Sequence, residues 1–543
     1  MGLNGQSWAA FLDKARTYPE LRRFCLIILF HIVFVSGLAY CSDQHADAAA
    51  HADKGLQFAQ AGSLADAEFE LRTAVQLAPD NSGFLASLGT VLAMERKLEE
   101  SADVFKRALK LNSSDLTVRR YLSADLWQLH RYSEARQNLE LILKDKPDDN
   151  AARLLLGMVS ENTKDYATAR RMLSSVPAQV REQPESIAAL ARSYYHFGEK
   201  EKARSTLREL QTHTGGAQGI LLGAQIADEM QDYQAAERLL ISIKSNFPDP
   251  AALGYRLALV RYHAKRFDES QRTLLHLIAS GYKTSQVFNL LGWCYQKQNQ
   301  PQQAAQALEE SISLAPAEES NYLDLIKMLL VDRLLPAALE VARRATRTLP
   351  ESVRVSLMRG SVELKMSQFT DAIASYTRAV QLDPGGADGI LGLAEAQSAA
   401  GMNKEASASF EAAIKRFPKD ARFKVQFALM LLKEADTGNS VLETRAEQLL
   451  KSALTLDRSL PEAHYQLGDL ALKKGRTAEA LQDFEQAAKL DPQSAKVHYA
   501  LSRVYRRLGR TAEASRQADL YRQLKEAELQ PSGTSSSAGV SEN

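Results

Sequence analysis

The chain has 543 residues, of which 45% are hydrophobic and 24% are charged, so its composition is that of a folded globular protein. Its net charge of +1 argues against nucleic acid as a partner, because phosphate binding requires a positive field. Cys25, Cys41 and Cys294 are too few and too far apart for a cysteine-rich zinc site or a disulfide framework. The low counts of 28 glycines and 16 prolines predict an all-helical chain with few turns that need special dihedral angles.

The amino terminus has the pattern of a targeting segment. Residues 24–41 form an apolar run, and Arg22 and Arg23 precede it. Positive charge before an apolar stretch keeps the preceding residues, 1–23, in the cytoplasm and directs the residues after the stretch across the membrane. The pattern therefore predicts that the rest of the chain lies outside the cytoplasm, in the cell envelope.

Three fates of the apolar run remain open. A signal peptidase could cleave after Ala39, which supplies one of the small side chains that the enzyme requires. The run could stay as an uncleaved membrane anchor, since about 18 residues are just enough to span a bilayer. Cys41 could instead be lipidated, although the bulky Tyr40 before it departs from the usual lipidation signal.

A motif of small and large residues repeats through the rest of the chain. It consists of an Ala, a large residue four positions later, an Ala three positions further on and a Pro five positions beyond that. Two clear copies are Ala480, Phe484, Ala487 and Pro492, and Ala372, Tyr376, Ala379 and Pro384. A glycine lies twelve positions before the first alanine (Gly468, Gly360), whereas Ser101 and Ser270 replace that alanine in two repeats. The repeat is 34 residues long.

The spacing explains why these residue types recur. At 100° per residue, positions 4, 7, 8 and 11 of the repeat share one face of a first helix, and positions 20, 24 and 27 share one face of a second helix. Small residues at positions 8, 20 and 27 let the two helices approach closely, and large residues at positions 7 and 24 fill the remaining space. The proline near the end of the repeat stops the second helix. A single helix pair cannot bury its apolar face, so neighbouring repeats are expected to stack.

This pattern resembles the tetratricopeptide repeat family, and the repeat that starts at Ser285 fits best. The resemblance implies an all-α fold, a right-handed superhelical solenoid of about fourteen helix-turn-helix repeats over residues 48–528. One repeat carries about six additional residues around Asp436–Asn439, which predicts a longer loop. Residues 529–543 lack apolar periodicity, which predicts a disordered tail.

Positions 2, 5, 9 and 12 of each first helix form a second stripe that the packing between helices does not explain. In proteins of the family that the chain resembles, this stripe lines the inner binding groove. Tryptophan, tyrosine and arginine dominate binding hot spots, so we expect a partner to bind to the stripe of repeats three to eight. The alternative is that these side chains only pack against adjacent repeats. The predicted partner-binding residues are Trp127, Arg192, Tyr195, Tyr255, Tyr262, Asn289, Trp293 and Gln296.

The last repeat is unusually basic. Its cluster consists of Arg503, Arg506, Arg507, Arg510, Arg516 and Arg522, offset only by Glu513 and Asp519. The cluster could dock an acidic partner or anionic lipid. The other interpretation, which we favour here, is the polar cap that closes the open end of a repeat array.

The sequence contains no motif for catalysis, a cofactor or a metal ion: no phosphate-binding loop, no nucleophile elbow and no zinc-protease motif. The chain is therefore predicted not to be an enzyme and to bind no cofactor, no metal and no small-molecule substrate. Cys294 is predicted to be a packing residue.

Together these observations predict a non-catalytic scaffold in the cell envelope that binds peptide segments or helices of other proteins. It contacts the membrane through residues 24–41 if that segment is not cleaved. An alternative is an accessory subunit of an envelope enzyme complex for polysaccharide export or outer-membrane assembly, a role that exported proteins with such repeats often have. A third possibility is a cytoplasmic scaffold, if the apolar run anchors the chain in the opposite orientation.

Overall fold

The computed structural model describes residues 43–210, 216–435 and 439–529, and these residues form helices without a strand. The predictions for residues 1–23, for the apolar run 24–41 and for most of the tail lie outside the described residues. Among the described residues, no helix combines the length and the apolar character that crossing a bilayer requires. The described helices fall into two compact units, which meet in sequence between Lys265 and Arg266.

The amino-terminal unit consists of fourteen helices within the described residues. They are α1 (Asp43–Ala61), α2 (Leu64–Leu77), α3 (Ser82–Met94), α4 (Leu98–Leu111), α5 (Leu116–Gln128), α6 (Tyr132–Asp145), α7 (Asn150–Asn162), α8 (Tyr166–Ser174), α9 (Pro177–Arg181), α10 (Pro184–His196), α11 (Lys200–Glu209), α12 (Gly216–Glu229), α13 (Tyr233–Ser242) and α14 (Pro250–His263).

The carboxyl-terminal unit contributes fifteen further helices within its described part. They are α15 (Phe267–Ala279), α16 (Ser285–Lys297), α17 (Pro301–Leu314), α18 (Glu319–Val331), α19 (Leu335–Thr348), α20 (Val353–Lys365), α21 (Phe369–Leu382), α22 (Ala387–Ala399), α23 (Asn403–Arg416), α24 (Ala421–Ala435), α25 (Ser440–Leu456), α26 (Pro461–Lys473), α27 (Thr477–Leu490), α28 (Ala495–Arg507) and α29 (Thr511–Leu529). The helix α29 includes Leu529, where the sequence predicts the tail to begin.

Within each unit, consecutive helices pack in pairs, and each pair packs against the next one along the chain. The contact between the two helices of a repeat is as close as the small residues allow. A methyl group added to Gly89 in α3 would lie 2.6 Å from the Phe105 ring of α4, closer than any real Cβ contact. This contact confirms the prediction that a small residue of the first helix packs against a large residue of the second.

Polar side chains cap the amino-terminal ends of many of the first helices. The Asn81 side chain accepts hydrogen bonds from the backbone N–H groups of Gly83 and Phe84, at 2.9 and 3.1 Å. Asp115 does the same for Thr117 and Val118, both at 3.0 Å. These caps satisfy N–H groups that have no partner inside the helix, so they fix where each first helix begins.

The turn between the two helices of a repeat corrects one prediction. The chain enters the left-handed region there, and at eight described positions the residue is not glycine. Lys164 and Asn299 are examples, with φ of 62° and 58°. The low glycine count therefore does not mean that few turns need special dihedral angles. Packing of the flanking helices imposes the turn, so the residue there adopts a positive φ, with some backbone strain, even when it is not glycine.

One helix has no counterpart in the predicted repeat. The second helix of the fourth repeat, α8, ends at Ser174, and Pro177 then starts the short helix α9. Proline fits the first turn of a helix because its missing N–H would have no partner there. The proline that the repeat uses to stop a helix thus starts one here, and Val180 of α9 is buried in the core of the unit.

Candidate protein-interaction surface

The predicted stripe residues fall into two groups, which we describe separately. Trp127, Arg192, Tyr195, Tyr255 and Tyr262 belong to the amino-terminal unit, and Asn289, Trp293 and Gln296 belong to the carboxyl-terminal unit. In each group the side chains lie on first helices, as the repeat frame predicts. Several of their polar atoms bond to residues of a neighbouring repeat rather than pointing only to solvent.

In the amino-terminal unit, two stripe residues converge on the end of α7. The indole N–H of Trp127 in α5 donates to the Asn162 side-chain oxygen at 2.6 Å. From the other side, the Arg192 guanidinium of α10 donates to the Glu161 carboxylate at 3.1 Å. The Trp127 ring and the Arg192 side chain are both partly buried. These bonds tie three consecutive first helices together and leave part of the tryptophan ring accessible.

Tyr195 departs from the prediction of a free ring. Only 7% of the residue is exposed, and its hydroxyl donates to the Asp232 carboxylate at 2.9 Å. Arg204 donates to the same carboxylate from its Nε atom at 2.6 Å. Burial raises the pKa of the Tyr195 hydroxyl, and the Asp232 carboxylate raises it further. Tyr195 is therefore a buried connection between neighbouring repeats.

The Asp232 carboxylate stays ionised in this buried position. Burial raises its pKa, but the hydrogen bonds from Arg204 and Tyr195 outweigh that effect and hold the pKa below its usual range. The same carboxylate caps α13 through the Ala235 N–H. Removal of one donor would leave a buried charge without compensation, which is costly.

Tyr255 and Tyr262 lie on α14, two helical turns apart, so they share one face of the helix. Both residues are partly buried. The Tyr262 ring meets the His263 ring edge to face, with centroids 6.2 Å apart. His263 in turn bonds to the Asp228 carboxylate at 2.8 Å. Helix α14 thus presents two partly accessible tyrosine rings on one face.

In the carboxyl-terminal unit, the three stripe residues of α16 all donate to acidic residues of or beside α18. Asn289 and Trp293 both donate to one oxygen of Asp324, at 3.1 and 3.4 Å. Gln296 donates to Asp332 at 3.0 Å. All three donors are partly buried. The structure therefore brings the polar ends of Asn289 and Trp293 together at one carboxylate and leaves the tryptophan ring partly accessible.

The acceptors of these bonds were missed in the sequence. Glu161 is at position 12 of its repeat, so the stripe rule could have found it. Asn162, Asp232, Asp324 and Asp332 lie off the stripe, and no local pattern marks them. Their role depends on a donor 31 to 37 residues away, in the adjacent repeat.

The described residues show no arrangement typical of catalysis. No group of three or more His, Cys, Asp or Glu side chains in this part of the chain could hold a metal ion. Cys294 is fully buried, and its thiol donates to the Ser270 hydroxyl at 3.3 Å. Burial raises the thiol pKa to about 11, so Cys294 stays protonated and is a poor nucleophile.

Stacked helix pairs with a partly accessible stripe on their first helices define a helical repeat protein of the interaction type. Sequence profiles described as Tetratricopeptide repeat match residues 44–115, 126–189, 285–318, 323–387, 363–430 and 465–527. The match to 285–318 coincides with the repeat predicted to start at Ser285. These matches cover well over half of the chain, which belongs to the tetratricopeptide repeat family. Proteins of this family are generally non-catalytic and bind other proteins.

The chain is also similar to two individual proteins, PilF and Tom70. The Type IV pilus assembly protein PilF of Pseudomonas aeruginosa is 27% identical over 203 residues, which is 37% of this chain and 80% of PilF. A solved structure of P. aeruginosa PilF is 25% identical, covers 38% of this chain and 95% of its own, and has a TM-score of 0.32. Yeast Tom70 is 17% identical and covers 89% of this chain and 93% of its own, with a TM-score of 0.39.

Proposed function

We propose that the protein is a non-catalytic scaffold that binds peptide segments or helices of partner proteins along the first-helix stripe. The observation that supports this most is the contrast between two faces of the same helices. Leu126 and Val287 on the packing side are at 0% exposure, whereas Trp127, Tyr262 and Trp293 remain partly accessible. Accessible rings held in place by hydrogen bonds lose little entropy when a partner covers them.

We further propose that the scaffold acts in the cell envelope, in the assembly of a surface structure. The likeness to a pilus assembly protein supports this proposal. The apolar run 24–41 after Arg22 and Arg23 supports export or anchoring of the chain. The same observations favour an accessory role beside other assembly proteins over a role in the cytoplasm.

The test compares stripe variants with a matched aromatic variant elsewhere. One stripe variant carries Trp127→Ala and Tyr262→Ala, and a second carries Trp293→Ala. The control is Phe69→Ala on the second helix α2, whose residue is 69% exposed and lies off the stripe. Partners of the full-length protein are captured by affinity purification from its own cells and quantified by mass spectrometry.

We expect at least one stripe variant to lose a partner by tenfold or more, because truncation of a central aromatic anchor costs about 2 kcal/mol or more. The Phe69→Ala control should retain that partner at the wild-type amount. Circular dichroism establishes that each variant is folded. Full retention of every partner by both stripe variants would contradict the proposal.

A further inference from the structure

We propose that the last repeat carries a separate binding site for an acidic polypeptide segment, formed by α28 and α29. Its first-helix residues Tyr499, Arg503 and Arg506 hold stripe positions 5, 9 and 12 of the last repeat, beyond repeats three to eight. The inference therefore rests on the proposed function and deepens it by naming the chemistry of the partner at this end. The site is built from the arginine cluster that the sequence shows and from a pair of tyrosines that only the structure brings together. Three features support it: arginines outside any ion pair, a pair of tyrosine rings of which one is exposed and one half-buried, and a notch between the two helices.

Four arginines of the cluster form no ion pair with any described residue: Arg503, Arg506, Arg507 and Arg516. Of these, Arg507 donates to the backbone carbonyl of Leu472 at 3.4 Å. Two arginines of the same repeat are paired within it. Arg510 bonds to Glu513 at 2.8 Å, and Arg522 bonds to Asp519. The cluster therefore contains both paired and unpaired guanidinium groups, which provides a matched internal comparison.

A polar cap does not by itself account for this arrangement. Arg503 and Arg506 are three residues apart and Arg503 and Arg507 four apart, so like charges face each other along one side of the helix. Such pairs destabilise a helix by a few tenths of a kcal/mol each. Arg506 and Arg507 gain from the helix dipole in the last turn of α28, but Arg503 and Arg516 lie outside it. An anion that covers the cluster removes the repulsion.

The aromatic part of the site lies beside Arg503. Tyr499 is 47% exposed, and its ring centroid lies 5.2 Å from that of Tyr521 in α29. The Arg503 guanidinium lies over the Tyr499 ring, 5.9 Å from its centroid. A cavity of about 400 Å³ opens between the helices, lined by Ser494, Ala495, Lys496, Tyr499, Tyr521 and Lys525. The lining combines hydroxyl groups, two rings and two lysines, and Lys496 is paired with the Glu462 carboxylate on the neighbouring repeat.

This combination fits a polypeptide with carboxylate side chains. Arginine forks bind carboxylates through paired hydrogen bonds, and tyrosine rings take up the aliphatic or aromatic side chains between them. A membrane surface would need apolar side chains that project beyond the cations, whereas here the rings form the wall of a notch. Nucleic acid would need a positive field over a longer surface than this chain of net charge +1 offers.

The experiment titrates full-length protein in non-ionic detergent against a fluorescent peptide in which Glu alternates with Ala and Phe. Peptides with Gln or Lys in place of Glu test the need for negative charge. The site variant carries Arg503→Gln, Arg506→Gln and Arg516→Gln, and a second variant carries Tyr499→Ala. The control variant carries Arg510→Gln and Arg522→Gln, which removes positive charge from the paired arginines.

We expect the Glu peptide to bind and the Gln and Lys peptides to bind at least tenfold more weakly. The site variant should lose about tenfold in affinity, as the sum of three exposed ion pairs predicts. Tyr499→Ala should lose affinity without a change in charge, and the control variant should bind as the wild type does. Trp127→Ala and Trp293→Ala should also bind normally, so this proposal and the proposed function fail separately.

Equal losses in the site variant and the control variant would overturn the proposal, because they would show attraction to net charge alone. Failure to bind the Glu peptide, together with binding of short-chain phosphatidylglycerol below its micelle concentration, would assign the cluster to a lipid headgroup instead. Unchanged binding by both the site variant and Tyr499→Ala would also overturn it.

Discussion

Asp125 is a buried carboxyl group in the middle of the third repeat. Only 3% of the residue is exposed, and it accepts a hydrogen bond from the Ser101 hydroxyl at 2.6 Å. Burial raises its pKa from 3.8 to about 7, and the bond from Ser101 offsets this only in part. The folded chain therefore holds this proton more tightly than the unfolded chain does. As the pH rises from about 4 to about 7, the contribution of this carboxyl group lowers the free energy of unfolding.

Replacement of Asp125 with Asn should remove this pH dependence. The amide has the same shape, stays neutral and still offers an oxygen to Ser101. We expect Asp125→Asn to be more stable than the wild type by about 2 kcal/mol at about pH 8, and nearly equal at about pH 4. Urea unfolding at the two pH values, with hydrogen exchange of α5, measures the difference.

The exposed Asp103→Asn on α4 is the control for this change, because it removes a carboxylate of the preceding repeat that is not buried. It should change stability by less than about 0.5 kcal/mol at either pH. An Asp125→Asn variant that is less stable than the wild type at about pH 8 would mean that the ionised form is the native one.

The stripe residues show the limit of sequence reasoning at this scale. The repeat frame places Trp127, Tyr195 and Trp293 on first helices, and the structure agrees. It cannot tell that Tyr195 is buried against Asp232 while Trp293 stays partly accessible. The partners of these side chains come from a neighbouring repeat, at positions that the repeat pattern leaves unspecified.

At the scale of a helix pair, the fold depends on close approach at one small residue. Gly89 in α3 lies against the Phe105 ring of α4, and Phe105 is fully buried against Tyr121 as well. Gly219 in α12 is also helical, but a methyl group there would meet Leu210 at an ordinary distance of 3.7 Å. Both glycines lie within helices, but only at Gly89 does an added methyl group meet a buried ring at a forbidden distance.

We expect opposite effects from the same substitution at these two positions. Gly89→Ala should lower stability by about 2 kcal/mol, because a buried ring cannot move aside without disturbing the core. Gly219→Ala should raise stability by about 0.5 to 1 kcal/mol, because alanine is the better helix former. Hydrogen exchange of α3 and of α12, compared with the wild type, gives both values locally, because the repeats need not unfold together. A change of stability in the same direction for both variants would show that backbone propensity, rather than the contact with Phe105, determines the effect of the substitution.

Over the whole chain, the principal contacts of each helix within a unit are with helices close to it in sequence. The stability of such an array is approximately a sum over repeats and their nearest neighbours, so parts of it can unfold separately. We expect calorimetric unfolding to be broad, with a van't Hoff enthalpy clearly below the calorimetric enthalpy. A single sharp transition with equal enthalpies would show that the repeats unfold as one cooperative body.

The sequence by itself determined the family, the all-α fold and the small and large positions that pack each helix pair. These features come from a period of 34 residues, and each is encoded within one repeat. It did not determine the short helix that Pro177 begins, the left-handed turns at residues such as Lys164, or which stripe residues are accessible. Tertiary structure decided these features, because each depends on contacts with residues outside the local pattern. The notch between Tyr499 and Tyr521 likewise exists only once α28 and α29 have packed together.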